Sequence, residues 1–351
     1  MKPAKTQNKS KIATLHDVAS IAGVSPGTVS RAITRPNLVA PKTLEKILSI
    51  VKKLHYFPDP AGRNLRSAKP TVIGAVIPRT GISTFAQTIT DLNDALEAQN
   101  ITLIVSQPEF SLAASESAAY RLLERGADAL ILLGEDHKPE LFEMLDHREL
   151  PYLLLWTTKK LKDQPYVSVD QSKAGQLAAN HLLELGHRHF AFVGIPLAHN
   201  PRAAARLAGV KKQLNQAGVL LAATAIIEEP HRFSSGRNAV EQIFKNQPNT
   251  TAIICTSDYH ALGVLRGLYE IGQRVPEDIS LVSFNNNDFS AYTIPSLTSV
   301  DLKQHDVGIH AADLIIKLMH GEQVKSIQIQ PQICVRESSA QVKKSAKKIK
   351  L

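Results

Sequence analysis

The apolar positions of this chain follow two different rhythms. Near the N-terminus they recur at helical spacing: Leu15, Val18, Ala19 and Ala22, then Val29 and Ala32, then Leu44, Ile47, Leu48, Val51 and Leu54. Residues three and four apart share one helix face, so the spacing predicts three short amphipathic helices with narrow apolar stripes. From Thr71 onward the apolar residues gather instead into short continuous runs, TVIGAVIP, ITLIVSQ, ALILLG and PYLLLW, separated by stretches of helical period. Continuous runs mark strands buried on both faces, and their alternation with helices predicts parallel sheet covered on both sides.

The series reads strand, helix Thr84 to Gln99, strand, helix Ala113 to Arg125, then three strands ending at YVSVD. It then restarts: helix Lys173 to Leu185, strand HFAFVG, helix Ala203 to Ala217, strand AIIEE, helix Ser234 to Lys245, strand TAIICT, helix His260 to Ile271, strand ISLVSF. Two such series predict two similar doubly wound lobes with a cleft at the carboxyl ends of the strands. The chain returns near Ser299 for a helix over Val307 to Met319 and a final strand around Ile327 to Ile333. The expected fold is therefore an all-α head joined to an α/β core of two parallel-sheet lobes.

Local signals sharpen the head. Thr14 with Asp17 three residues on resembles a capping box, so a helix begins at Leu15. Gly23 ends it, because a helix C′ residue needs positive φ. Ser25 caps the next helix and Pro26 takes its first position, where a missing N–H costs nothing. Val29 and Ala32 face inward, which leaves Gly27, Thr28, Ser30 and Arg31 outside. Two short helices joined by a tight turn are a helix-turn-helix, the motif that lays its second helix in a major groove; an ordinary helical hairpin with a solvated face shows the same pattern.

Charge separates these readings. Residues 1–70 hold 13 Lys/Arg against 3 Asp/Glu, a net of +10, and residues 341–351 add five lysines; with a chain total of +9, the stretch between is −6. A cationic head on an acidic body suits binding to a phosphate backbone, from which Lys and Arg displace counterions. No run of roughly 18 apolar residues predicts a membrane span, and the polar, basic start MKPAKTQNKSK lacks the apolar core of a secretory signal. The two cysteines, Cys255 and Cys334, cannot form a disulfide framework. A cytoplasmic protein is expected. No GxGxxG, P-loop, nucleophile elbow or zinc motif is present, so an enzyme is not expected, and no cofactor or metal is implied. His187 and His189 lack a third ligand nearby and fit the helix-to-strand turn better than a metal site.

The expected organisation is a disordered basic arm (1–13), a DNA-binding head (14–57), a hinge and linker (58–70), a two-lobed core (71–340) and a basic disordered tail (341–351). Within the core the first lobe takes about 71–170 and 299–328, the second about 171–298 and 329–340. The linker, HYFPDPAGRNLRSAKP, carries three prolines, yet Pro58 can open a short helix with Leu65 on a basic strip; at roughly eight residues it folds only when docked.

Taken in order, LHDVASIAGVSPGTVSRAI, YFPDPAGRNLRS, VIGAVIP, HLLELGHRHFAFVG, RLAGV, SDYHALGVLRGL, VPEDISLVSF, PSLTSV and VRESS closely resemble the lactose and purine repressor family of bacterial transcription regulators. The resemblance covers Thr14 to about Ser339. It implies a DNA-binding head, a hinge helix and a core of the periplasmic-binding-protein type, acting as a homodimer on a palindromic operator under a small effector held between the lobes. By that resemblance the DNA-binding candidates are Thr14, Ser25, Pro26, Gly27, Thr28, Ser30, Arg31, Thr34 and Asn37 in the head, with Arg63 and Leu65 in the hinge. Family members place two base-reading side chains where this chain has Pro26 and Gly27, neither of which can hydrogen-bond through its side chain. Base reading therefore shifts to Arg31, while Ser25, Thr28 and Ser30 hold phosphates with help from Thr34 and Asn37. Leu65 matches the leucine wedge that opens a central minor-groove step.

In the cleft the effector-binding candidates are Phe85, Arg202, Arg206, Asp258 and Asn285. Arg206 matches the family's effector-binding arginine, and Asn285 stands where members that bind neutral sugars often carry an aspartate. An amide tolerates an anion that a carboxylate would repel, and Arg202, one turn before Arg206, adds a second positive charge. A sugar acid such as gluconate is the expected effector, with a neutral sugar bound through Asn285 as the other reading. A small-molecule binding protein without DNA regulation is the alternative function. The lysine tail carries no leucine heptads, so a dimer rather than a tetramer is expected.

Overall fold

The computed structural model describes residues 13–54, 56, 71–79, 85–109, 111–198 and 200–343. The chain divides into two compact units, Met1–Lys69 and Pro70–Leu351. In the first, α1 (Leu15–Ala22), α2 (Pro26–Thr34) and α3 (Pro41–Lys53) enclose Val18, Ala19, Ala22, Val29, Ala32 and Ile47. Half of these side chains are alanines, so the helices approach closely while removing little apolar area from water. At about 25 cal/mol per Å² such a core supports only a marginal domain. Leu48, expected on the same face as Ile47, is 46% exposed. Successive helical residues turn through about 100°, and Ile47 takes the centre of the buried face.

The second unit opens with β1 (Val72–Val76), α4 (Ala86–Glu97), β2 (Thr102–Ser106), α5 (Leu112–Glu124), β3 (Ala129–Leu133), α6 (Pro139–His147), β4 (Tyr152–Leu155) and β5 (Tyr166–Val169). A second series follows: α7 (Gln171–Glu184), β6 (Phe190–Gly194), α8 (Pro201–Gln216), β7 (Ile226–Glu228), α9 (Phe233–Asn246), β8 (Ala252–Cys255), α10 (Asp258–Glu270), β9 (Ser280–Phe284) and β10 (Thr298–Asp301). Then α11 (Gln304–Met319) packs against α4, β11 (Ile327–Ile329) joins the first sheet and β12 (Gln332–Cys334) joins the second. The strand orders are β11-β5-β4-β3-β1-β2 and β12-β10-β9-β8-β6-β7. All neighbours are parallel except β12, which runs antiparallel to β10. The two doubly wound sheets are those the apolar runs predict.

Four details depart from the pattern read in the sequence. The single strand expected over Ile327 to Ile333 is two, in different sheets; Pro331 lies between them and, lacking an N–H, interrupts the ladder there. The chain leaves the second sheet only after Asp301, because Val300 still pairs with Phe284. Helix α6 was not expected at all: its Leu141, Phe142 and Leu145 are buried, but nine residues between two strongly apolar strands give the helical period little length in which to show. The tail expected to be disordered from 341 is held at its start, where Val342 N donates to Leu185 O at 3.0 Å.

One contact positions the cleft. A methyl group built on Gly175 of α7 would overlap Arg206 O of α8, and one on Gly209 of α8 would overlap Ser172 O of α7. The two helices therefore cross backbone to backbone, which brings Gln171 at the start of α7 within reach of Arg206.

Candidate DNA-reading head and effector cleft

The recognition helix is built by its caps. Asp17 N donates to Thr14 Oγ1 at 3.3 Å and Thr14 N donates to Asp17 Oδ2 at 2.7 Å, the reciprocal capping box of α1. Gly23 follows with φ of 70°, a conformation that turns the chain at no steric cost. Ser25 Oγ accepts from Thr28 N at 3.1 Å and lies 2.9 Å from Thr28 Oγ1. Ser25 and Thr28 thus spend part of their hydrogen-bonding capacity on each other. Pro26 begins α2, and a side chain at Gly27 would meet only Ser25 Oγ at 3.8 Å. Arg31 is exposed, with Nε donating to Gly27 O at 3.2 Å. Its remaining guanidinium N–H groups can form the planar fork that matches guanine O6 and N7. Ser30 is half-buried, and Asn37 is exposed in the 3₁₀ turn Pro36–Leu38. Lys42, Lys46, Lys52 and Lys53 are exposed on α3. The Thr34 side chain, Arg63 and Leu65 lie outside the described residues.

In the core, the carboxyl ends of the strands meet at a cleft between the lobes. Arg202 and Arg206 stand one turn apart on α8, each only 7% exposed. Arg206 Nε donates to Gln171 Oε1 and Nη1 donates to Thr256 O, both at 2.7 Å, and the guanidinium lies 5.2 Å from the Phe284 ring centroid. Arg202 reaches across to the first lobe, 5.9 Å from the centroid of Phe85, which is buried ahead of α4. Burial pulls Arg206 down to about 9, with the Arg202 charge adding to the effect. Burial likewise pulls Arg202 down to about 10, against the attraction of Glu135 and Asp136. Both stay protonated at neutral pH, so the cleft holds two cations in a setting of low polarity. The attraction of Glu135 and Asp136 for Arg202, and of Asp258 for Arg206, offsets part of the cost of burying these charges.

Several groups here are unsatisfied. Trp156 Nε1, Gln171 Nε2, Thr256 Oγ1 and both polar atoms of the Asn285 side chain are buried and find no hydrogen-bond partner among the described residues. Each such group costs about 1–3 kcal/mol, which a bound polar molecule would relieve. Backbone strain coincides with them. Trp156 has φ of 59°, Asn285 of 102° and Asn286 of 51°. Non-glycine residues persist there only when neighbours over-determine them, as around ligand sites.

Asp258 does something different from its neighbours. Its carboxylate is fully buried and accepts from Ser299 Oγ at 2.8 Å, Asn287 N at 2.7 Å and Asn287 Nδ2 at 2.9 Å, and also from Ser283 Oγ. Protein donors therefore surround this candidate effector ligand and tie it to the loop that carries Asn285. Desolvation raises its pKa, while those hydrogen bonds pull the other way. His187, considered and set aside as a metal ligand, is buried with Nδ1 3.0 Å from Thr251 Oγ1 and Nε2 2.9 Å from Ser280 Oγ. It ties a turn to the residue before β8 and to the first residue of β9.

Arg202 thus lines the cleft with Phe85 and Arg206 beside it, and Asn285 directly follows Phe284, the ring that Arg206 covers. Sequence reasoning missed Trp156, Gln171 and Thr256. Trp156 had a signal: it is the chain's one tryptophan and directly follows an apolar strand. Gln171 and Thr256 had none.

A capped reading helix on one unit and an unsatisfied, cationic cleft on the other define a ligand-responsive DNA-binding regulator. Comparison with known proteins gives this class a family. A family described as bacterial regulatory proteins, lacI family, matches residues 14–59, and a periplasmic binding protein-like domain matches residues 179–339. Catabolite control protein A of Priestia megaterium is 30% identical over 328 residues, covering 93% of this chain and 99% of the relative. The HTH-type transcriptional repressor PurR of Erwinia tasmaniensis is 29% identical over 333 residues, covering 94% and 97%. Among solved structures, the lac repressor dimer bound to operator and the anti-inducer ONPF is 26% identical with a TM-score of 0.81, covering 94% of this chain and 100% of that one. The transcriptional regulator CelR in complex with cellobiose is 27% identical with a TM-score of 0.68, covering 93% and 100%. The chain belongs to the lacI family of bacterial regulatory proteins. Repressors of this family bind operator DNA as dimers and answer to small effectors; this is a DNA-binding transcriptional repressor under effector control, and its relatives are regulators rather than enzymes. Among the described residues no helix is long and apolar enough to cross a membrane.

Proposed function

We propose that the protein is a homodimeric repressor of a palindromic operator whose DNA affinity is set by a small sugar acid, with gluconate as the reference compound, bound between the lobes. The observation that carries this reading is the pair of buried arginines one turn apart on α8, together with a buried amide, Asn285, next to the Phe284 that Arg206 covers, where a carboxylate would repel an anion. Phe85, Arg202, Arg206, Trp156 and Asn285 bind the effector, and Asp258 holds Asn285 in place. In the head, Arg31 reads a base, while Thr14, Ser25, Thr28, Ser30, Thr34 and Asn37 hold the phosphate backbone around the bare edge at Pro26 and Gly27. Arg63 and Leu65 act in the hinge, with Leu65 as the minor-groove wedge.

Binding between the lobes favours one lobe angle over the other. The dimer passes that preference to its two heads, and the coupling is reciprocal. A neutral sugar is the second reading, favoured by the Phe85 and Trp156 rings, whose centroids lie 5.7 Å apart and offer faces for sugar C–H groups. The relative CelR is likewise seen with cellobiose. Trp156 is the chain's one tryptophan, so its fluorescence reports on this cleft alone. Titration with gluconate and with glucose decides between the readings: a response to glucose and none to gluconate or other sugar acids sinks the first.

A further inference from the structure

Beside Arg202 the cleft opens into a chamber of about 670 Å³, lined by neither Arg206, Asn285 nor Trp156. Its walls come from both lobes. Leu112 and Ser115 of α5, Leu133 at the end of β3, and Gly134, Asp136 and His137 after it supply one side, and Ala198 and Pro201 supply the other. Pockets of roughly 300–1,000 Å³ hold molecules larger than one sugar, so the acid that meets the arginines leaves this space unfilled.

The chamber differs from the arginine end in charge: its lining sets the carboxylate of Asp136 against the cation of Arg202, where the arginine end adds the second cation of Arg206. Asp136 lies on its wall, and a carboxylate brought beside it would be repelled. A neutral sugar suits it: ring hydroxyls donate to Asp136 and exchange hydrogen bonds with Ser115 and His137, while Leu112, Leu133 and Pro201 cover C–H faces. Burial lowers the His137 pKa and so favours the neutral imidazole, which carries one donor and one acceptor nitrogen. Arg202 lies where the two compartments meet.

We propose that the effector has two units, an aldonic acid held by Arg202, Arg206 and Asn285 and a neutral sugar, glycosidically linked to it, seated in the chamber between α5 and α8. This rests on the acid reading of the cleft and extends it to the size and polarity of the molecule.

The test is calorimetry on the full-length protein with three probes: gluconate, cellobionate (gluconate carrying one neutral glucose) and cellobiose. Cellobionate should bind at least tenfold tighter than either of the others. The ratio of cellobionate to gluconate affinity should fall towards one in Ala198→Phe and in Leu112→Trp. Each variant fills the chamber from one lobe at an exposed position where folding has little to lose. Cellobionate binding no tighter than gluconate overturns the second unit and leaves the acid reading standing. Cellobiose binding as tightly as cellobionate overturns the acid reading and leaves the chamber occupied. Silence to all three overturns both.

Discussion

Asp258 and Asn287 are joined twice, by the backbone N–H at 2.7 Å and the side-chain Nδ2 at 2.9 Å, both to the same carboxylate oxygen. Asn285, two residues earlier on the same loop, has φ of 102°. Replacing Asp258 with Ala strands those donors along with the hydroxyls of Ser283 and Ser299. At about 1–3 kcal/mol per stranded buried group, urea unfolding of the core should show a loss of at least about 3 kcal/mol. Asp258→Asn should lose less, because the amide oxygen still accepts. A variant as stable as the parent would refute the anchoring role.

Gly175 and Gly209 allow α7 and α8 to touch along their backbones. Gly175→Ala must push the helices apart, and overpacking costs about 1–3 kcal/mol. The shift also moves Arg206 from Gln171, so the melting temperature and effector affinity should fall together. Gly27→Ala, with open space around it, should leave head stability unchanged or improve it by up to about 1 kcal/mol. Equal effects at the two sites would contradict the packing argument.

Asn285→Asp places a carboxylate in the cleft with Arg206. Gluconate affinity, read by Trp156 fluorescence, should drop at least tenfold, and binding of neutral sugars should improve relative to it. An unchanged preference for acids would remove Asn285 from the specificity argument.

His260 is fully buried, its Nε2–H donating to Pro230 O at 2.9 Å, and desolvation holds its pKa down to about 4 against an ordinary value of 6.5. The unfolded chain therefore binds the proton more readily. The stability from this group is complete above about pH 6.5 and is lost as pH falls towards 4. His187 and His181, also lowered by burial, act in the same direction. Core stability measured between pH 7 and 4 should decline, and His260→Gln should flatten part of that slope. An equally steep slope in the variant would assign the acid sensitivity elsewhere.

Arg31→Ala should weaken operator binding by about 1–3 kcal/mol and relax one base position. Equal loss on every sequence would make Arg31 a phosphate contact instead, and the salt dependence of binding would then become shallower by about one counterion.

The two lobes were legible because strands buried on both faces leave continuous apolar runs that few other structures produce. The head was legible through caps, Thr14 with Asp17 and Ser25 with Pro26, each of which needs particular residue types at fixed offsets. Among the candidate effector residues, the clearest sequence signals were those of charge, at Arg202, Arg206 and the amide at Asn285. Gln171 escaped because an ordinary glutamine meets Arg206 only when two helices cross at glycines, and Thr256 because Arg206 bonds its backbone carbonyl, which any residue would supply. The hydrogen bonds around Asp258 could not be read in advance, since Ser283, Asn287 and Ser299 are brought to it by three separate strands and loops.

Because β11 completes the first sheet from residue 327 onward, neither lobe is a continuous piece of chain. The head elements end at Lys53, and at roughly 5–20 residues per second of synthesis the ribosome finishes them tens of seconds before the first lobe receives its last strand. During synthesis the part that reads DNA exists before the part that governs it. For the same reason, a chain cut short before β11 would deprive both sheets of an edge strand while leaving every residue of the reading helix intact.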